Sequence, residues 1–439
     1  MKQLFLLLLF ALHFSPFTSL AQPMKPCGTS VLARRHQLHK GDGSFCVTRA
    51  TQKEPSPLCN YMGEKRGLII LVSFPNQPFS NEDPKTLWSA IANQEGYADH
   101  GARGSVSDYF PDQSYGKFKL TFDVVGPVEA KNPYEYYGKN IDWGPPTGEF
   151  DQKDDELVEE ACRAVSDDVH FADYDWDGDG EVEQIFLLYA GHGENDYWSK
   201  DESVIWPHMA KLSVDWGYEG GIILQGVRID AYACSNEVDQ KDKLAGMGTI
   251  CHEFSHCLGL PDLYNTEKGN SVVGSYDLMD QGCYSGSGWC PVGYSSYERY
   301  ACGWLTPQSV NDVYIVTSLQ PLHEQPDAKI YRTSAEANDY YLIENRQKAQ
   351  WDLYFPSAGL MAWHIDYDET AWQENTVNND PKHLRVERMP LGKIPTGVLT
   401  ISAQAPHHDN WYDLQGRRLS TKPSVPGLYI NNGKKESIR

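Results

Sequence analysis

The sequence predicts a mixed α/β (α+β) domain followed by a β-rich subdomain. Two apolar runs, Gly67 to Phe74 and Ile185 to Ala190, have the length and composition of buried strands. Alternating apolar residues from Phe118 to Val124 predict a strand with one exposed face, and the apolar spacing from Leu157 to Val165 predicts an amphipathic helix. After Leu305 the pattern changes to short β-type runs at Val313 to Val316, Tyr340 to Ile343 and Leu360 to Ile365.

A second helix is predicted near the middle of the chain. Gly259 permits a left-handed residue at its end, and Pro261 prevents it from continuing, so the chain is expected to turn back there. Its apolar residues recur at helical spacing and form a stripe that can anchor the helix in a core, namely Met247, Ile250, Cys251, Phe254, Cys257 and Leu258.

The polar residues of this helix have the spacing of a metal site. His252 and His256 are four positions apart, so both imidazoles lie on one face and can bind one tetrahedral ion. Glu253 lies beside them, where its carboxylate can act as general base on a metal-activated water. The turn at Gly259 carries Asp262 toward the ion, and we expect Asp262 to be the third ligand. A bare His-Glu-x-x-His also occurs on ordinary helices, so the prediction depends on this continuation.

The full spacing, His-Glu-x-x-His-x-x-Gly-x-x-Asp, indicates a zincin/metzincin-like fold with aspartate where the commonest version has a third histidine. Downstream, the run from Gly274 to Asp280 is typical of a Met-turn, which places a methionine beneath a zinc site. Met279 is the candidate. A methionine in a turn is more often a packing residue, and only its neighbours favour this interpretation.

Further segments extend the pattern on both sides of the helix: Gly67 to Phe74, Ser105 to Phe110, Ser114 to Gly116, Tyr276 to Asp280, Ser296-Tyr297, Cys302 to Trp304, Tyr341 to Arg346 and Gly359 to Asp366. Together with His252 to Tyr264 they resemble the M6 peptidases, the immune inhibitor A type of secreted zinc metalloproteases. The resemblance extends from about Gly63 to about Arg388 and implies an endopeptidase. The resemblance identifies the third zinc ligand less clearly than the two histidines, so Glu298 is kept as the alternative to Asp262.

The acidic segment from Asp173 to Glu183 gives a second chemical signal. Clustered carboxylates repel one another unless a cation neutralises them, which favours Ca²⁺, while a solvated acidic loop is the alternative. The match to an EF-hand loop is incomplete, because position 12 is Gln184 rather than glutamate. The segment does match the first part of an EF-hand loop, because acidic residues occupy alternate positions around Gly178, a glycine that permits a sharp turn. These candidate calcium ligands are Asp173, Asp175, Asp177 and Asp179.

The chain of 439 residues is long enough for more than one domain. Residues 1–21 have the charged start, apolar run and small-residue cleavage site of a signal peptide. Residues 22–62 are basic and are interpreted as a pro-segment or linker; the metalloprotease domain is assigned to 63–305, the β-rich subdomain to 306–390 and a C-terminal β tail to 391–439. No later apolar run is long enough to span a membrane, so we expect a soluble secreted protein.

The net charge of −22 argues against a nucleic-acid partner, whose phosphates would be repelled over most of the surface. Ten cysteines would meet an oxidising compartment after export, so some disulfides are expected, with Cys283 and Cys290 as the candidate pair. Cys251 and Cys257 lie on the apolar side of the predicted helix, where free buried thiols are expected.

Several residues have weaker assignments. His192 lies in a glycine-flanked turn and His208 follows Trp-Pro; both are interpreted as structural rather than metal-binding. His364 and Asp366 either bind a cation or buttress the cleft, and the second role is favoured. The tail from Trp411 to Lys435 resembles the C-terminal sorting modules of type IX-secreted proteins, which implies a secretion-machinery partner. An ordinary β-hairpin cap is the alternative.

Two functions are compatible with these motifs. The principal hypothesis is a secreted zinc endopeptidase acting on protein or peptide substrates, in which Glu253 takes the proton of the metal-activated water. Tyr264 or Tyr276 would assist the oxyanion, and the sequence does not choose between them. The alternative is a catalytically inactive, calcium-dependent surface adhesin or host-protein-binding module. The presence of Glu253 argues against it, because a binding protein needs no general base.

Overall fold

A computed structural model describes residues 62–142, 149–195, 203–215, 221–310, 315–332 and 338–389, together with the backbone of five strands between 400 and 438. The predicted signal peptide and almost all of the predicted pro-segment lie outside the described residues. Within the described part of the chain, none of the helices combines the length and apolar character needed to span a lipid bilayer.

The strands are, in chain order, β1 (Gly63–Ser73), β2 (Phe118–Glu129), β3 (Asn140–Asp142), β4 (Glu149–Asp151), β5 (Glu181–Val182), β6 (Ile185–Tyr189), β7 (His208–Lys211), β8 (Ile222–Leu224), β9 (Val227–Ile229), β10 (Ala231–Asn236), β11 (Gln308–Val310), β12 (Ile315–Leu319), β13 (Lys329–Arg332), β14 (Asp339–Arg346), β15 (Gly359–Asp366), β16 (Val386–Met389), β17 (Thr400–Ala403), β18 (Trp411–Tyr412), β19 (Arg418–Leu419), β20 (Gly427–Asn431) and β21 (Lys434–Ile438).

The α-helices are α1 (Pro84–Asn93), α2 (Val106–Ser114), α3 (Tyr134–Gly138), α4 (Asp154–Ala164), α5 (Leu212–Asp215), α6 (Gly248–Cys257), α7 (Ser296–Ala301) and α8 (Glu369–Gln373). Short 3-10 turns connect them at Asp99–Gly101, Phe171–Tyr174, Gly274–Tyr276, Gln281–Tyr284 and Gln350–Asp352. This mixture of helices and sheets confirms the predicted α/β class.

The first sheet has the strand order β2-β1-β6-β10-β7. Strands β1, β2, β6 and β10 are parallel, and only the edge strand β7 is antiparallel to its neighbour. Residues 67–72 of β1 and all of β6 are buried, as expected for parallel strands covered on both faces. In β2, Phe118, Leu120 and Phe122 are buried, and the two residues between them, Lys119 and Thr121, are exposed. This confirms the predicted alternation.

The second sheet has the order β11-β13-β14-β15-β16 and is antiparallel except where β11 joins β13. It packs against α7, where Glu344 Oε2 of β14 accepts a hydrogen bond from the Ser296 backbone N–H at 2.6 Å. The main apolar core contains residues of both sheets, including Leu68 and Ile185 from the first and Trp363 from the second. The β-rich segment therefore shares its core with the segment before it.

The tail contains four short antiparallel strands in the order β19-β18-β20-β21, and β17 pairs with β12 in a separate two-stranded sheet. Hairpin pairing between β20 and β21 runs from Gly427 opposite Ile438 to Asn431 opposite Lys434. The tail thus forms a small β-module at the level of its backbone, and its role in sorting stays a prediction.

The predicted disulfide between Cys283 and Cys290 is wrong in this structure. Both are buried thiols: the Cys283 thiol donates to the Asp280 carbonyl at 3.3 Å, and the Cys290 thiol lies 3.5 Å from the Trp351 carbonyl. Each sulfur is oriented toward an acceptor of its own. Cys251 and Cys257 are free and buried as predicted.

Candidate metal centre

Helix α6 crosses the core and presents the metal-site motif. All ten of its residues are buried, because it packs against β7, β10 and the 3-10 turn Gln281–Tyr284. At its start, a Cβ added to Gly248 would lie 1.8 Å from the Cys283 carbonyl oxygen, so only glycine permits this approach. At its end, Gly259 adopts φ +75°, a left-handed conformation that favours glycine, and the chain turns back as predicted.

The turn brings Asp262 to the two histidines of the helix. Asp262 Oδ1 lies 3.1 Å from His252 Nε2 and 3.5 Å from His256 Nε2. The two imidazole rings are perpendicular, with centroids 5.1 Å apart. Ligand atoms of all three residues lie within 4.8 Å of one another, and all three side chains are buried.

Hydrogen bonds to the backbone orient both imidazoles. His252 Nδ1 lies 2.9 Å from the Leu278 carbonyl oxygen, and His256 Nδ1 lies 2.8 Å from the Leu260 carbonyl oxygen. A carbonyl oxygen can only accept, so each Nδ1 carries a proton and each Nε2 is the nitrogen that faces Asp262. Two imidazole Nε2 atoms and one carboxylate would form, once a metal replaces any Nε2 proton, a nitrogen and oxygen donor set that suits zinc.

The charge of Asp262 also suits a bound cation. Burial by itself would raise the pKa of its carboxyl, but the adjacent His256 and His252 outweigh burial and hold the pKa below its usual value. The carboxylate is therefore ionised, as a metal ligand must be.

Glu253 lies next to these ligands without joining them. Its side chain is fully buried, and neither carboxylate oxygen has a hydrogen-bond partner within the described part of the chain. It lines a cavity of about 10 Å³ together with His252, Tyr264 and Asp280, which is roughly the space of one water molecule. Burial raises the pKa of the Glu253 carboxyl, although the two histidines oppose this shift. A buried acid beside a water-sized cavity fits a proton-accepting role.

Glu298, the alternative third ligand, lies elsewhere. Its Oε2 accepts a hydrogen bond from the Ser295 backbone N–H at 2.6 Å and so caps helix α7. Burial and the neighbouring Asp277 carboxylate raise the pKa of Glu298, which favours a shared proton between these two acids. Among the described residues, the structure groups Asp262, and not Glu298, with the two histidines.

The predicted Met-turn lies against the helix. The Leu278 carbonyl contacts His252, Met279 is fully buried, and the Met279 carbonyl accepts from the Leu263 backbone N–H at 2.8 Å. Of the two tyrosines, Tyr264 lines the small cavity, whereas the Tyr276 hydroxyl lies 3.3 Å from Ser357 Oγ. The geometry therefore favours Tyr264 as the residue near the reacting groups.

A second buried group contains Asp151, Asp154 and His208. His208 Nδ1 lies 2.5 Å from the Trp206 carbonyl, and its Nε2 lies 2.8 Å from Asp154 Oδ2. The Tyr232 hydroxyl also donates to Asp154 at 2.7 Å. These bonds describe a charged hydrogen-bonded pair in the core, in agreement with a structural role for His208.

His192 and His364 also lie apart from the metal group. His192 pairs with the exposed Asp242 at 3.1 Å. His364 lies between Asp339 and Glu387, at 3.1 and 3.2 Å, and Asp366 pairs with His383 and Arg385 at 2.9 and 3.1 Å. His364 and Asp366, both on β15 of the second sheet, thus belong to ion-pair networks.

The acidic loop is only partly assembled as predicted. Asp175 and Asp177 come together with Glu183, which was not among the four predicted ligands. Burial, together with these two aspartates, raises the pKa of Glu183 to about 8. Asp173 instead pairs with Arg66 and with His170, and Asp179 accepts a hydrogen bond from the Glu181 backbone at 2.9 Å.

The fold and this group of side chains define a metallopeptidase-type catalytic domain. Residues 68–305 match the sequence profile described as the immune inhibitor A peptidase M6, catalytic domain. The profile covers more than half of the chain, and the protein belongs to this family.

Curated relatives agree with this assignment. The chain is 24% identical over 277 residues to the Pre-pro-metalloprotease PrtV of Vibrio cholerae, covering 54% of this chain and 30% of the relative. It is 23% identical over 273 residues to Immune inhibitor A of Bacillus thuringiensis, covering 53% and 38%. A Putative secreted metallopeptidase of Arthroderma benhamiae is 23% identical over 213 residues, covering 42% and 30%. The chain thus spans about a third of the length of these relatives.

Proposed function

We propose that this protein is a secreted, zinc-dependent endopeptidase with a zincin/metzincin-like catalytic domain. The observation that carries the proposal is the convergence of His252 Nε2, His256 Nε2 and Asp262 Oδ1 beside the buried carboxylate of Glu253. Four parallel strands with one antiparallel edge strand next to helix α6 support the zincin-like layout.

Each residue has a separate task in this proposal. His252, His256 and Asp262 would hold zinc, which supplies a Lewis acid that activates water and polarises the scissile carbonyl. Glu253 accepts the proton of the attacking water and passes it to the leaving amine. Its neighbouring cavity has room for that water, and its buried position excludes bulk solvent from the transfer. Tyr264 is assigned to the developing oxyanion, and Met279 to the floor of the site.

The activity is tested with mature protein on casein, comparing the wild type with Glu253→Gln. This substitution keeps the size of the side chain and removes the proton-accepting charge, so general-base catalysis worth about 10²–10⁴-fold should be lost. Zinc content should not change, because Glu253 is not a ligand. Glu64→Gln, the same change at an exposed side chain of β1, serves as the control and should hydrolyse casein at the wild-type rate. Equal clearing by wild type and Glu253→Gln would contradict the proposal and favour a binding protein.

The ligand shell is tested separately by zinc content. Asp262→Ala should fold and hold less zinc, because one of three protein ligands is removed. Glu298→Ala should keep its zinc and lose some stability, because it removes the cap of helix α7. Near-stoichiometric zinc in Asp262→Ala would transfer the third-ligand role to Glu298 or another acid.

Calcium binding at the acidic loop is a further part of the proposal. Asp175, Asp177 and Glu183 place carboxylate oxygens within 4.8 Å of one another, and burial together with the two aspartates raises the pKa of Glu183 to about 8. A third negative charge is therefore unfavourable there. A cation would relieve this repulsion with the hard oxygen ligands that calcium prefers. Its role would be to stabilise the fold, without taking part in catalysis.

Secretion is proposed from three observations. These are the apolar leader at residues 1–21, the printed name of the Arthroderma relative, and the small β-module formed by the tail. We assign 391–439 to recognition by a secretion machinery. Removing these residues should leave the protein inside the producing cell, and full secretion of the shortened chain would contradict this assignment.

A further inference from the structure

The loop that follows helix α8 holds the proposed metal ligand Asp262. Asn375 Oδ1 accepts a hydrogen bond from the Asp262 backbone N–H at 2.7 Å, and Asn375 Nδ2 donates to Asp262 Oδ2, also at 2.7 Å. One amide side chain thus fixes the backbone and the carboxylate of the same residue. Asn375 lies 113 positions after Asp262 and outside the segment 68–305 that matches the family profile.

This two-point contact leaves one carboxylate oxygen for a metal ion. Asp262 Oδ2 is held by the amide, while Oδ1 faces the Nε2 atoms of His252 and His256 at 3.1 and 3.5 Å. A carboxylate held in this way is already oriented for binding through a single oxygen. Because the amide is neutral, it orients the ligand without adding a second negative charge that would compete for the ion.

Asn375 is itself held in place. Its side chain is fully buried, and its φ of +52° lies in the left-handed region, which asparagine adopts more readily than most residues. Its backbone carbonyl accepts a hydrogen bond from Thr266 Oγ1 at 2.7 Å. Since Thr266 follows Asp262 in the same loop, the ligand loop and the Asn375 loop are joined at two points. Asn378 adds a third contact, donating to the Leu263 carbonyl at 2.8 Å.

We infer that Asn375 is a positioning residue for the zinc ligand Asp262, and that the segment 306–390 completes the metal centre. The inference rests on the proposed zinc function. Removing an outer partner of a metal ligand typically weakens metal binding about 10–100-fold, so this loss is expected for Asn375→Ala. Zinc should also dissociate faster, because the carboxylate is then free to rotate away from the histidines.

The test uses the full chain and measures zinc affinity by competition with a chelator of known affinity, zinc release rate, and the melting temperature of the zinc-free protein. Asn378→Ala is the matched control. Asn378 is equally buried in the same loop and bonds to Leu263, Arg385 and Val386 but does not contact Asp262. Both variants should lower the melting temperature of the zinc-free protein, and Asn375→Ala should weaken zinc binding much more than Asn378→Ala, which keeps both hydrogen bonds to Asp262.

Asn375→Asp separates the two halves of the contact and replaces the alanine variant if that one does not fold. It has the same size and keeps an acceptor for the Asp262 N–H, but it replaces the amide donor with a second carboxylate. Zinc should therefore dissociate faster, because Asp262 Oδ2 loses its donor and is repelled by the new carboxylate. Wild-type zinc affinity in a folded Asn375 variant, or an equal loss in Asn378→Ala, would overturn the inference.

The outcome for Asp262→Ala distinguishes this inference from the proposed function. If Asp262→Ala loses zinc while the Asn375 variants retain it, the proposed function stands and the positioning role fails. If Asp262→Ala binds zinc like the wild type, the ligand assignment fails and the inference fails with it. If both residues act through one ligand, adding Asn375→Ala to Asp262→Ala should cause no further loss of affinity.

Discussion

Two histidine–aspartate ion pairs with similar nitrogen–oxygen distances differ strongly in burial, and burial should decide how much each pair contributes to the stability of the fold. His208 Nε2 lies 2.8 Å from Asp154 Oδ2, and these side chains are 0% and 3% exposed. His192 Nε2 lies 3.1 Å from Asp242 Oδ1, but those side chains are 39% and 86% exposed. We expect His208→Ala to destabilise the protein strongly and His192→Ala to have little effect.

The magnitude follows from what each substitution leaves behind. His208→Ala leaves the Asp154 carboxylate buried with the hydrogen bond from Tyr232, and breaking a buried pair on one side costs about 3–5 kcal/mol. An exposed pair contributes at most about 1 kcal/mol. Each kcal/mol lowers the melting temperature of a large domain by about 2–4 °C, so His208→Ala should lower it by roughly 6–20 °C. His192→Ala should lower it by less than about 4 °C.

The same pair predicts a pH dependence. Burial by itself would lower the pKa of His208, but Cys234 and Asp154 outweigh it and hold the pKa well above its usual value. A folded-state pKa above the unfolded value of about 6.5 gives stabilisation that is complete below this pH. It is lost as the pH rises through the folded-state pKa. The difference in unfolding free energy between wild type and His208→Ala should therefore shrink toward high pH.

The assay is urea unfolding of both histidine variants and the wild type between pH 6 and 9, with zinc content measured in parallel. Zinc should remain bound in both variants, because neither histidine belongs to the proposed metal centre. Wild-type stability in His208→Ala, or loss of zinc from it, would refute the assignment of His208 to a structural pair.

Three further outcomes are expected. Calcium at a hundredfold excess over its dissociation constant should add about 2.7 kcal/mol of stability with zinc kept saturated, and Asp175→Ala with Asp177→Ala should abolish this rise in melting temperature. Tyr264→Phe should lower kcat by about 10²-fold with zinc retained, while Tyr276→Phe should leave kcat near wild type; the reverse order would exchange their roles. Gly248→Ala places a Cβ 1.8 Å from a backbone carbonyl oxygen, so it should destabilise the protein by about 1–3 kcal/mol in thermal unfolding, and a stabilised variant would contradict this packing.

Local sequence patterns predicted those parts of the fold that are determined by interactions between residues close in sequence. The buried strand at Gly63–Ser73 and the helix at Gly248–Cys257 followed from apolar runs and helical spacing, since burial of these side chains decides both elements. The turn at Gly259 followed from the same kind of reasoning, because a left-handed residue there favours glycine. The placement of Asp262 beside the histidines is a short-range consequence of that turn.

Contacts between segments that are distant in sequence could not be predicted from local sequence patterns. Asp173 has the spacing of a loop ligand, but Arg66 from strand β1 pairs with it, and Glu183 instead joins the acidic group. Asn375 carries no motif, and its contact with Asp262 depends on how the second sheet packs against the first. Cys283 and Cys290 are close in sequence, yet the Cys290 thiol is oriented toward the Trp351 carbonyl, 61 residues away, and the Cys283 thiol toward the Asp280 carbonyl.

The most direct test of the central claim is an anomalous difference map at the zinc absorption edge from crystals of the zinc-loaded full chain. We expect one strong peak within about 2.0–2.2 Å of His252 Nε2, His256 Nε2 and an oxygen of Asp262. Glu253 should lie beside this peak without binding to it. A peak at the Asp151, Asp154 and His208 group, a peak bound by Glu298 in place of Asp262, or no peak between the two helix histidines would contradict it.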